Sequence, residues 1–385
     1  MDLSFQSSIG TGGNVMRNWR LVYTPIALLT LILALLFYDD NSYRAFSAEI
    51  EQSFAPKSTP HGPARQCWTD EALGAHPGEE LVRKGIPAAY RPPPDRQLSP
   101  LPSKSKDNAK VIRRVDLPPG LKLVALTFDL CEQPYEIAGY QGAIVDFLRD
   151  HKIKATFFAG GKWMLSHLGR AQQLMTDPLF EVANHTWEHR NLRIATGKKL
   201  NDEIQNAERA YEDVRSKLAN ACPMPGLGEA LTQRVPDHMS LFRFPFGACN
   251  PESLHAVADA GLIPIQWDVS SGDPTPAKPE VYVHQVDDNA KPGSIILFHA
   301  NGRGHAAAAL PEIVRELKAR GYEFATVTDL LNIEGAKPVL TDTCFDSKLG
   351  DTDRYDLLSR QLEAAFERFT KKQIGKRGAA EDPPR

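Results

Sequence analysis

Residues 124–136 read VALTFDLCEQPYE, an apolar run that ends on an acid. Val124, Leu126 and Phe128 suit a buried strand, and Asp129 falls at its carboxyl edge. Parallel α/β folds build their sites just beyond that edge. The pattern recurs along the chain. FEVAN (180–184) runs into HTWEHRNL, FRFPFGACN (242–250) carries Arg243, and SIILFH (294–299) ends on His299. The strands expected are Leu121 to Asp129, Lys154 to Ala159, Phe180 to Asn184, Leu241 to Pro245, Ile263 to Val269, Ser294 to His299 and Tyr322 to Val327. Amphipathic helices lie between them. In Asn201 to Asn220, for example, Ile204, Ala207, Tyr211, Val214 and Leu218 recur at i+3 and i+4 spacing. Strands that alternate with helices predict parallel pairing, in a barrel or a doubly wound sheet.

The rest of the chain sets the context. With 385 residues, 24% charged and 42% hydrophobic, it has the composition of an ordinary globular protein. A net charge of −3 offers no concentrated basic surface, so no nucleic-acid partner is expected. Leu21 to Tyr38 reads LVYTPIALLTLILALLFY, an uncharged run long enough to cross a bilayer. Arg17 and Arg20 precede it and Asp39 and Asp40 follow, so residues 1–20 are expected in the cytoplasm and everything after the anchor outside. A cleaved signal is the other reading, with small residues at Ala45 to Ala48, and it too exports the domain. Residues 39–107, Pro-rich from Phe54 on, read as a spacer, with Cys67 and Trp68 either a local docking patch or part of an unstructured stretch. Residues 108–335 form the expected catalytic domain. Residues 336–385 add Cys344, a charged helix from Arg354 to Lys372, and the tail KKQIGKRGAAEDPPR, expected to be disordered. Five cysteines is an odd number, so at least one is free, ligated or paired between chains.

Several strand-end residues have chemical roles open to them. His185 and His189 are four apart, and a helical turn would bring both imidazoles to one divalent cation; otherwise they are two surface histidines. Asp129 could accept a proton from water, bind the metal itself, or merely cap a helix. Arg243 could orient a carboxylate, and His299 could protonate a leaving amine.

Taken in order, five motifs resemble those of the polysaccharide deacetylase family, over roughly Val111 to Leu331. TFDLC is similar to the family's TFDDG, HTWEH to HxxxH, RFPFG to RxPxG, WDVSSGD to WxVDxxDW, and LFH to LxH. The resemblance implies a distorted (β/α)7-type barrel of the glycoside hydrolase and deacetylase kind, which hydrolyses N-acetyl groups on a polysaccharide or peptidoglycan-like glycan. It further implies that His185 and His189 hold the metal, usually zinc, and that Asp129 is the catalytic base. Arg243 would position that base, His299 would be the acid, and Asp273 would tune His299. Trp267, Leu297 and Phe246 would line the substrate pocket.

Departures from the pattern qualify this. The family's third metal ligand is an aspartate, and Leu130 stands in its place. Asp129 is the replacement expected; Cys131, Glu132 or water are the others. A Cys131 ligand would compete with a disulfide to a loop cysteine such as Cys249. Ser270 and Pro274 replace two further motif residues. Two other functions remain open: a catalytically silent glycan-binding homologue, and an amidohydrolase such as a deformylase of a lipid-linked sugar.

Overall fold

The computed structural model describes residues 67–85, 90–98, 109–222 and 226–378, with side chains to residue 368. In these segments the strands are β1 (Arg83–Lys84), β2 (Val111–Asp116), β3 (Leu123–Leu130), β4 (Glu136–Ile137), β5 (Ala155–Ala159) and β6 (Phe180–Asn184). They continue with β7 (Leu241–Phe242), β8 (Ile263–Pro264), β9 (Val269–Ser270), β10 (Ile295–His299), β11 (Glu323–Phe324) and β12 (Lys337–Thr341). The anchor expected at 21–38 and the cytoplasmic tail before it lie outside the described residues. Among the described residues no helix is long and apolar enough to cross a membrane.

A parallel sheet runs in the order β8-β7-β6-β5-β3-β10-β9, with β11 paired to the start of β3. Its two ends are neighbours in sequence, since only residues 265–268 separate β8 from β9. Seven flat strands about 4.8 Å apart would span roughly 29 Å. Five extended residue steps cover only about 18 Å. The sheet must therefore curl until its edges approach, which makes an α/β barrel-like domain with a seam. β2 lies in that seam, with Ile112 bridged to Ile265 and Arg114 to Ser294, and β12 pairs antiparallel with β2.

Alternation along β3 sorts its side chains between two environments. Val124, Leu126, Phe128 and Leu130 pack into the core under the helices, where Phe128 stacks on Phe157 at 5.4 Å and on Phe298 at 5.3 Å. Ala125, Thr127 and Asp129 face the barrel interior. Helix Gly197–Ser216 buries Ile204, Ala207, Tyr211 and Val214 of the predicted stripe together with Leu200, and Leu218 is buried in the 3-10 turn Lys217–Asn220 that follows.

Several expectations change. The single strand expected at Ile263 to Val269 is two, because the chain crosses the seam: Ile265 N–H bonds to Phe242 and the Gln266 N–H bonds to Ile112. Tyr322 to Val327 shrinks to β11, since Thr326 caps a helix over Val327–Leu331. The C-terminal helix extends to Gly378, taking in the first part of the tail expected to be disordered. Part of the spacer is docked. Cys67 is disulfide-bonded to Cys222, β1 pairs with β4, and Arg96 bonds Glu212 and Asp213.

Candidate active site

Asp129, one residue before the end of β3, and His299, at the end of the adjacent β10, are register partners in that pair. Parallel strands in register point paired side chains to one face, so both groups reach the barrel mouth together. Arg243, just past β7, is fully buried and donates from Nη1 to Asp129 Oδ1 at 2.8 Å and to Thr127 Oγ1 at 2.9 Å. Its guanidinium lies 3.9 Å over the Phe158 ring. Burial works to raise the Asp129 pKa, but Arg243, His185 and His299 outweigh it and hold the carboxyl below its ordinary value. The base candidate is thus kept ionised.

His299 has the opposite bias. Its Nδ1 donates to Asp273 Oδ1 at 2.9 Å, and its backbone N–H donates to Asp273 Oδ2 at 2.8 Å. Burial pulls its pKa down, while the Asp273 charge and hydrogen bond push it up and prevail. Environments that drive an acid and a base apart in this way are a signature of proton-transfer sites.

The two motif histidines converge, though not on a helix. After β6 the chain leaves regular structure, and Thr186 and His189 adopt positive φ of 67° and 59°. Those left-handed turns, costly for residues with a Cβ, bring the rings to a 5.0 Å centroid separation at 66°. His185 Nδ1 donates to the Arg243 carbonyl at 2.9 Å, which fixes the tautomer and leaves Nε2 as a bare lone pair. Among the described residues His185 Nε2 and His189 Nδ1 are buried and find no hydrogen-bond partner. Two orphaned imidazole nitrogens side by side fit a cation. Upstream, Asn184 Nδ2 donates to the Ile204 carbonyl at 3.1 Å and to Glu208 Oε1 at 2.6 Å, and its Oδ1 accepts from Thr186 N–H at 2.9 Å. This network anchors the start of the motif loop.

The alternative third ligands separate cleanly. Glu132 is turned away: its Oε2 accepts from Ala138 N–H at 3.0 Å and Ser166 Oγ at 2.7 Å, and Lys162 stands 3.5 Å from Oε1. It is not a ligand. Asp129 Oδ1 is committed to Arg243, and Oδ2 stands 3.5 Å from His185 Nε2. Cys131, buried and free, has its sulfur in one group with the His185 and His189 ring nitrogens, all within 4.8 Å of one another. Burial, with the Asp129 charge beside it, pushes its thiol well above the ordinary value. The competing disulfide from Cys131 to Cys249 does not form, because Cys249 pairs with Cys344.

A cavity of about 290 Å³ opens over these groups, lined by Asp129, Cys131, His189, His299 and the expected Trp267, Leu297 and Phe246. Pro274 and Ser270, the two motif departures, also line it. A second cavity of about 490 Å³ beside Tyr90 and Glu363 is larger but holds none of the strand-end groups, so the first is the candidate site. Sequence reading missed one wall. The C-terminal extension supplies Asp346, Arg354 and Tyr355 to the cavity, with Trp267 Nε1 donating to Asp346 Oδ1 at 2.8 Å and Tyr355 packed 5.3 Å from Phe246. Cys344 was the one sequence signal for this wall, and its partner was not readable.

A family model described as polysaccharide deacetylase matches residues 116–228. A chitooligosaccharide deacetylase of Azorhizobium caulinodans is 29% identical over 193 residues, 47% of this chain and 82% of the relative. A peptidoglycan-N-acetylglucosamine deacetylase of Bacillus cereus is 30% identical over 221 residues, 56% of this chain and 91% of the relative. Among solved structures, a CE4 family pseudoenzyme from Bacillus anthracis aligns with a TM-score of 0.44 at 24% identity, over 57% of this chain and 68% of that one. With nearly the full length of a 30% identical relative covered, the chain is a divergent member of the polysaccharide deacetylase family.

Proposed function

We propose that this protein is a metal-dependent deacetylase that hydrolyses the N-acetyl amide of an amino sugar in a cell-wall or related polysaccharide, outside the cytoplasm. The observation that carries the reading is the pairing of Asp129, held ionised by Arg243, with His299, held by Asp273, in register at one barrel mouth. His185 and His189 would hold the cation, zinc being suited to imidazole donors. A bound cation supplies Lewis acidity, polarising the amide carbonyl and acidifying water.

The chain's own groups do the proton work. Asp129 takes a proton on Oδ2 from the water that attacks the amide carbon, and Arg243, bonded to Oδ1, holds the carboxylate in place. His299 gives its proton to the nitrogen as the C–N bond breaks, so acetate and the free amine leave. Asp273 fixes the His299 tautomer, leaving Nε2 to carry the proton transferred. Trp267, Leu297 and Phe246 exclude water and shape the acyl subsite.

Location outside the cytoplasm draws support from the two disulfides, Cys67–Cys222 and Cys249–Cys344, which persist in oxidising compartments. The apolar run at 21–38 supports membrane attachment. The test is a screen of the purified full-length chain for acetate and formate release from chitooligosaccharides, peptidoglycan fragments and lipid-linked sugars. Acetate release from a glycan is expected. A protein that binds glycan but releases neither acid is a binding protein, and formate alone from a lipid-linked sugar makes it a deformylase.

A further inference from the structure

We infer that Cys131 is the third protein ligand of the metal, completing a Cys/His/His site in which Asp129 stays free to act as base. The inference rests on the metal-dependent reading above, and three independent observations support it. The first is strand parity. β3 continues one residue past Asp129, with Leu130 paired to Ala159 and the Leu130 carbonyl accepting from Gly160 N–H at 3.0 Å. Side chains alternate along a strand, so this extension turns Leu130 outward into the helix-side core and brings Cys131 back to the face that carries Asp129. The Asn301 side chain donates to the Cys131 carbonyl at 2.9 Å and pins the chain there.

The second observation is proximity. The Cys131 sulfur and a ring nitrogen from each of His185 and His189 lie within 4.8 Å of one another. Small rotamer adjustments would bring all three atoms within bonding reach of one cation, at about 2.3 Å for sulfur and about 2.0–2.1 Å for nitrogen. The third is that none of these atoms is taken up by a disulfide or a hydrogen bond among the described residues. The other four cysteines are paired in disulfides, Glu132 is bound elsewhere, and the two imidazole nitrogens are orphaned. A thiolate carries the same single negative charge as a carboxylate, so the exchange preserves the charge of the site while making it softer. Softer donor sets favour zinc over magnesium, calcium or manganese.

The test is cobalt(II) substitution of the purified full-length chain, read by absorption and by X-ray absorption at the metal edge. The wild type should bind close to one cobalt and show a sulfur-to-cobalt charge-transfer band, and its zinc form should show one sulfur neighbour at about 2.3 Å. Cys131→Ser should lose the band and bind metal at least about tenfold more weakly. Cys131→Asp should regain affinity without the band, and circular dichroism of both variants should match the wild type. A wild type that binds cobalt with no sulfur signal, unchanged in Cys131→Ser, overturns the ligand assignment and leaves the deacetylase reading standing. Failure of the wild type to bind any metal overturns both. A full sulfur signal in a protein that releases no acetate supports the ligand and overturns the deacetylase.

Discussion

Asp129 and His299 are register partners on neighbouring parallel strands, so the hydrogen bonds of the sheet itself set the spacing between the proposed base and acid. Each carries its own buried partner on the far side, Arg243 for the first and Asp273 for the second. Asp129→Asn keeps the shape and removes the base. Acetate release should fall about 10²–10⁴-fold while metal content stays at the wild-type level. Parallel loss of metal would make Asp129 a ligand instead.

Asp273 raises the affinity of His299 for its proton. An acid works only while protonated, so activity is lost as pH rises through the His299 pKa. Asp273→Asn removes the supporting charge and should move the alkaline limb of the kcat profile to lower pH, with the acidic limb, set by Asp129, unmoved. A profile that drops uniformly without shifting would assign Asp273 to architecture alone.

Arg243 neutralises a carboxylate that is itself buried. Removing one partner of such a pair leaves an uncompensated charge, typically at a cost of about 3–5 kcal/mol. Arg243→Met should lower the denaturant midpoint accordingly. The Asp129 pKa lies below its unfolded value in the wild type, so the pair stabilises the fold above the unfolded carboxylate pKa, and that contribution is lost as pH falls through the folded one. In Arg243→Met the destabilisation should therefore shrink in acid.

Glu208, beneath Asn184, has its pKa raised by burial from 4.5 to about 8. The folded state retains a proton that the unfolded state gives up, so stability is full below about 4.5 and declines as pH rises to about 8. Glu208→Gln mimics the protonated form. Its melting temperature should lack that decline between the two values, whereas a parallel decline would mean that another group titrates.

The wall built by the C-terminal extension predicts a substrate effect. Tyr355→Ala removes a ring packed against Phe246 at the cavity rim. KM for longer oligosaccharides should rise several-fold with kcat within about twofold, because neither residue meets the reacting atoms. An equal fall in kcat would bring Tyr355 into the chemistry.

The sequence disclosed the residue types of the site and the strand ends that hold them, because apolar runs ending in Asp129, Arg243 and His299 survive any detail of pairing. What escaped it depends on register and distant contacts. Whether Cys131 or Leu130 faces the histidine pair turns on one extra residue pair, Leu130 with Ala159, which no local pattern encodes. The histidines converge through left-handed turns at Thr186 and His189, where spacing suggested a helix. β2, reading VIRRVD, looks too polar for a barrel seam; Arg113 is nonetheless buried there, stacked 3.7 Å over Phe345 with its guanidinium donating to the Gln266 side chain. The Cys249–Cys344 pairing joins positions 95 apart and brings in a wall no motif announces.

The most direct measurement of the central claim is a zinc titration of the metal-stripped full-length chain, following acetate release from the best glycan found. The rate should climb in proportion to added zinc and level off at one equivalent, and the double variant His185→Ala, His189→Ala should stay flat throughout. A rate indifferent to zinc, or no acetate at saturating zinc, would contradict the account.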